Sequence, residues 1–195
     1  SGVAGVTNVF CREAGPMVVY MSDRFGFRND DDAYENGELD VVLIGDSFAQ
    51  GSCVTSDVAS RLRDTGLRAI TLGMAGNGPL LELAALREFG PIIRPKHVVW
   101  MFYENDFGNL DVERRDPILS RYLADENYTQ RLAARQNLVD AMWIEGLREI
   151  EATASKSSIR DAPYYRWMLR RFLTLGRLRE LTGRAGFVEH DFERR

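Results

Sequence analysis

Apolar positions in the first half of the chain gather into three short blocks, each ended by small polar residues. Val41-Val42-Leu43-Ile44 stops at Gly45-Asp46-Ser47, Leu67–Leu72 stops at Gly73-Met74-Ala75-Gly76, and Lys96–Phe102 stops at Tyr103-Glu104-Asn105-Asp106. Short apolar runs bounded by turn residues predict buried strands. Segments of helical spacing lie between them, so the order predicts an α/β protein with a parallel sheet, in a three-layer α/β/α arrangement. From about residue 116 to 182 the pattern reads helical, and Gly183-Arg184-Ala185-Gly186 and a charged tail follow. No further strand of the usual kind is read there. The expected organisation is a lead-in over residues 1–36, packed on an α/β domain over 37–195 whose C-terminal part is helical.

Three consecutive strands on one parallel sheet bring their carboxyl ends to one edge, where open α/β sheets bind ligands. That edge would gather Ser47, Gly73 and Asn105. Acyl transfer uses such a set: a hydroxyl to attack a carbonyl, and a backbone N–H and an amide to hold the oxyanion. On this segment alone Asp46 and Ser47 suit better a plainer role, as N-caps of the helix that follows the strand.

In this order the three blocks resemble the SGNH/GDSL hydrolase superfamily. Gly45-Asp46-Ser47-Phe48 with Gly51 is similar to its first block, Leu72-Gly73-Met74-Ala75-Gly76 to its second, and Tyr103-Glu104-Asn105-Asp106 to its third. The resemblance covers roughly residues 39 to 110. It implies a flavodoxin-like fold, Ser47 as nucleophile, and an oxyanion hole from the Ser47 and Gly73 N–H groups with the Asn105 amide. It also implies an ester substrate, an acylated small molecule or the O-acyl groups of a carbohydrate, and no cofactor. Thr71 stands where the family often has asparagine, and Tyr103 where it has glycine. The larger departure is the late aspartate-x-x-histidine element that supplies the family's general base. The chain has two histidines. His97 opens the third strand, at the end away from the tips, and reads as structural. His190 is late enough, but Phe187 rather than aspartate stands three residues before it. Three expectations stay open: a C-terminally incomplete domain, a base borrowed from a partner, or a degenerate module that binds glycan or a partner protein.

Composition adds limits. With 195 residues, 45% apolar and 28% charged, one substantial core is expected. No apolar run is long enough to span a membrane. Charge is uneven: residues 1–155 hold 15 Lys and Arg against 24 Asp and Glu, whereas residues 156–195 hold 10 against 5. The basic part, around Tyr164–Leu178, reads as an amphipathic helix, a candidate contact for a partner or a second copy. Nucleic acid is disfavoured by the acidic balance. The acidic run Asn29-Asp30-Asp31-Asp32 fits no calcium loop and reads as a solvated turn, and no metal site is expected. The preceding Tyr20–Asn29 resembles the lead-in of bacterial SGNH proteins from surface-polysaccharide loci. Cys11 and Cys53 are compatible with one disulfide, which favours an extracytoplasmic or periplasmic setting, or with two buried thiols. Cys53 has no neighbouring histidine to activate it as a nucleophile.

Overall fold

The computed structural model describes residues 2–10, 17–35 and 38–154. The chain divides into two units, 1–140 and 141–195. Of the second, only the helical residues to Ala154 are described.

In the first unit, strands β1 (Thr7–Phe10) and β2 (Val18–Met21) pair antiparallel as a separate ribbon. The main sheet has three parallel strands, β3 (Val41–Gly45), β4 (Ala69–Thr71) and β5 (His97–Met101), in the order β4-β3-β5. All three predicted strands are therefore present and parallel. Central β3 is apolar throughout because both of its faces are covered, the usual condition of a parallel strand. Val42, Leu43 and Ile44 are buried. Each such side chain contributes about 1.5–3 kcal/mol of burial free energy.

Two short helices, α1 (Ser47–Gln50) and α2 (Val58–Asp64), lead from β3 to β4, and α3 (Pro79–Ile93) leads from β4 to β5. The first crossover runs outward from central β3 to β4 and the second runs back past β3 to β5, so right-handed connections put them on opposite faces. The core joins Val42, Ile44, Ile70 and Leu72 of the sheet with Ala85, Phe89 and Ile93 of α3. Phe27 of the lead-in belongs to the same cluster, meeting Phe89 edge-on at 5.1 Å between ring centres. The lead-in is thus part of the core as well as packed on it.

Helices α4 (Asn105–Glu113), α5 (Pro117–Ala124) and α6 (Gln136–Ala154) follow. The helical stretch expected from residue 116 is broken between Asp125 and Arg135. There, buried Glu88 of α3 accepts the Leu132 N–H at 2.7 Å as well as the Tyr122 hydroxyl and the Gln130 N–H. A carboxylate that collects loop amides competes directly with helix formation. The rest of that stretch, the basic segment and His190 lie outside the described residues.

Candidate active site

β3 ends in a turn that only glycine can make. Gly45 has φ +153°, and a Cβ there would sit 2.8 Å from both the Ala49 Cβ and the Met101 carbonyl oxygen. The tight turn lets α1 start two residues later, with Ser47 as its first residue. Asp46 caps α1, its Oδ1 accepting the Phe48 N–H at 2.9 Å. The Asp46 Oδ2 accepts the Asn105 amide at 3.0 Å. One buried carboxylate therefore ties the tip of β3 to the tip of β5. The strands arrive there in register, Gly45 opposite Met101.

Ser47 is half-buried, and its N–H is among the first amides of a helix, which have no acceptor within the helix. Asn105 is exposed, and its amide has a second N–H beyond the one given to Asp46. Gly73 differs. Its N–H donates to the Thr71 Oγ1 at 2.9 Å, and that hydroxyl donates to the Ala49 carbonyl at 2.8 Å. The Gly73 amide is engaged by its own strand. What the position requires is the absence of a side chain, since a Cβ would lie 2.5 Å from the Ala49 Cβ and 2.6 Å from the Gln50 nitrogen.

The lead-in clasps this arrangement. Asn29, expected in a solvated turn, is buried instead. Its side chain accepts the Thr71 N–H at 2.8 Å and donates to the Thr71 carbonyl at 2.9 Å, as a neighbouring strand would. Arg28 donates to the carbonyls of Gly51, Val54 and Thr55 and lies 3.5 Å from the Asp57 carboxylate. Gln50 accepts the Ala75 N–H at 2.7 Å and donates to the Tyr20 hydroxyl at 3.1 Å, joining α1 to the second block and to β2. An asparagine beside three aspartates gives no sign in sequence that it alone turns inward. Only the strand edge it covers decides that.

Beneath the tips lies a group of carboxylates that the sequence analysis did not single out. Glu82, Asp106 and Glu113 are all buried, as is Asp46. Glu113 accepts the Gly78 and Leu80 N–H groups at 2.7 and 2.8 Å, capping α3. Glu82 accepts the Trp100 indole N–H at 2.6 Å, and Asp106 accepts the Tyr103 N–H at 2.7 Å. Among the described residues, Glu82 Oε1 and Asp106 Oδ1 have no hydrogen-bond partner. Burial pushes Glu82 up to about 8 and Glu113 up to about 7, and raises Asp106 as well. Neighbouring carboxylates add to each shift. No group of described residues has the arrangement of a metal site.

His97 pairs with Val41, four residues down the strand from the Gly45–Met101 pair. At the usual rise that is roughly 13 Å from the tip, out of reach of Ser47. His190 lies outside the described residues. Cys53 falls in the turn after α1 and is disulfide-bonded, so it is not a thiol nucleophile. Cys11 lies outside the described residues. No helix among the described residues is long and apolar enough to cross a membrane. No family model, curated protein or solved structure matches the chain.

Proposed function

We propose that this chain is an SGNH-type serine esterase or acyltransferase with a flavodoxin-like fold, acting on O-acyl esters, with carbohydrate esters as the favoured class. The observation that carries the reading is the Asp46–Asn105 hydrogen bond, which couples the Gly-Asp-Ser turn to the Glu-Asn-Asp turn on neighbouring parallel strands. A serine at a helix start and an amide on the next strand tip supply a nucleophile and an oxyanion donor.

In this reading Ser47 Oγ forms a bond to the ester carbonyl carbon as its proton passes to a general base. The carbonyl oxygen takes up the negative charge, facing the Ser47 N–H and the second Asn105 N–H. Gly73, its own amide already bonded, keeps room for α1 against the second block. Collapse expels the alcohol, which recovers the proton, and leaves an acyl-serine. Water then releases the acid, or a sugar hydroxyl accepts the acyl group. His190 is the histidine left for the base, because His97 lies at the far end of β5.

A second reading has one observation in its favour: among the described residues no histidine lies near Ser47. On that reading the fold binds an acylated glycan or a partner without turnover. Hydrolysis of p-nitrophenyl acetate by the wild type, Ser47→Ala and His190→Ala decides between them. An esterase loses turnover in both variants, whereas wild-type release no faster than Ser47→Ala supports the binding module.

A further inference from the structure

A short pattern away from the strand tips has no part in the catalytic reading. In Asn127-Tyr128-Thr129 an asparagine is followed two places later by a hydroxyl, with a residue other than proline between them. That is the acceptor pattern for N-linked glycans. No other asparagine of the chain is followed in this way. Asp125 stands two places before Asn127, which completes the longer form, acid-x-asparagine-x-hydroxyl, that periplasmic oligosaccharyltransferases read. Such patterns also arise by chance, so the surroundings of Asn127 decide what this one means.

Those surroundings suit an acceptor. The pattern falls in the break between α5 and α6, where residues 128–130 have no regular structure. Asp125 ends α5 and folds a turn: its carboxylate accepts the Asn127 N–H at 2.9 Å and its carbonyl accepts the Tyr128 N–H at 3.1 Å. Tyr128 turns back onto α5, its ring 4.0 Å from the Arg121 guanidinium and 4.8 Å from the Tyr122 ring. Beyond the turn, buried Glu88 holds the Gln130 N–H. The turn is thus anchored at both ends and its crest faces water, with Asp125, Glu126, Asn127 and Thr129 all exposed. Among the described residues the Asn127 side chain has no hydrogen-bond partner. Asn29 and Asn105, by contrast, have theirs in Thr71 and Asp46.

The chemistry of the cysteine agrees. Cys53 is disulfide-bonded, a state that persists outside the reducing cytosol, and N-glycan transfer takes place on that same side of a membrane. The turn also leaves the strand tips clear. Its anchor Glu88 lies roughly 13 Å along α3 from the end that Glu113 caps beneath the tips.

We propose that Asn127 is a modification site, the acceptor of an N-linked glycan supplied by a lipid-linked oligosaccharide pyrophosphate. Asn127 Nδ2 forms a bond to the anomeric carbon of the first sugar. The bond from that carbon to the pyrophosphate oxygen breaks, the lipid pyrophosphate leaves with the electron pair, and Nδ2 gives one proton to a base of the transferase. The Thr129 oxygen accepts the Arg131 N–H at 2.9 Å, which leaves the hydroxyl proton for the transferase to bind. Asp125 brings the negative charge that the longer pattern calls for. None of this rests on the esterase reading.

Trypsin cleaves after Arg121 and Arg131, so the site falls in one peptide, Tyr122–Arg131. The test is mass spectrometry of that peptide, taken from the protein purified from the cells that make it. The expected peptide is heavier by an oligosaccharide, with fragment ions that place the first sugar on Asn127. Asn127→Gln made in the same cells should carry no added mass. Asp125→Asn keeps the acceptor for the turn and removes the charge, and should lose most of the occupancy. A wild-type peptide present only at its unmodified mass overturns the proposal, as does an added mass that survives Asn127→Gln. Full occupancy in Asp125→Asn overturns the part given to Asp125. The readout is mass alone, so an inactive Ser47 changes none of these results.

Discussion

Asp46 has both carboxylate oxygens committed, one to the Phe48 N–H and one to the Asn105 amide. Its work is to orient: it fixes the start of α1 and holds one amide proton of Asn105, leaving the other uncommitted to Asp46. If the Asn105 amide holds an oxyanion, Asn105→Ala should lower kcat on p-nitrophenyl acetate by about a hundredfold with KM changed far less, the scale of losing one such donor. A modest fall in melting temperature should accompany it, because the buried Asp46 carboxylate loses the Asn105 amide. A loss of stability with kcat unchanged would make Asn105 a structural residue alone.

The elements around the site hold together through contacts between segments far apart in sequence. Gly73→Ala places a methyl group on α1, and overpacking of that kind should destabilise the fold by about 1–3 kcal/mol in urea titration. Asn29→Ala removes both bonds to Thr71 and leaves a buried peptide unpaired, a loss of about 1–3 kcal/mol or more. A wild-type midpoint for either variant would contradict the packing described. The strands were legible because a run such as Val41–Ile44 has one reading when turn residues close both ends. The meeting of Ser47 and Asn105 at one edge was legible for the same reason, since parallel strands have one carboxyl end. The inward turn of Asn29 and the gathering of Glu82, Asp106 and Glu113 were not. Each depends on which backbone amide or carboxylate lies opposite, and local pattern carries no record of that.

Across the whole first unit, burial of acids makes stability depend on pH in an unusual direction. Glu82 and Glu113 have folded-state values near 8 and 7 against an ordinary 4.5. The folded protein therefore holds protons that the unfolded chain releases between those values. Their contribution is fully present below about pH 4.5, falls as pH rises, and is lost above about pH 8. Urea midpoints should thus decline from pH 5.5 to 8, and Glu82→Gln should flatten that decline, since an amide keeps the acceptor for Trp100 and has no proton to lose. A midpoint that rises over the same range would show the acids to be ionised in the fold. The proposed esterase activity depends first on Ser47 being a nucleophile. The direct measurement is intact-mass labelling of the folded chain with a fluorophosphonate probe, beside Ser47→Ala. One adduct per chain is expected, absent from the variant. Folded wild-type protein that takes up no probe contradicts it.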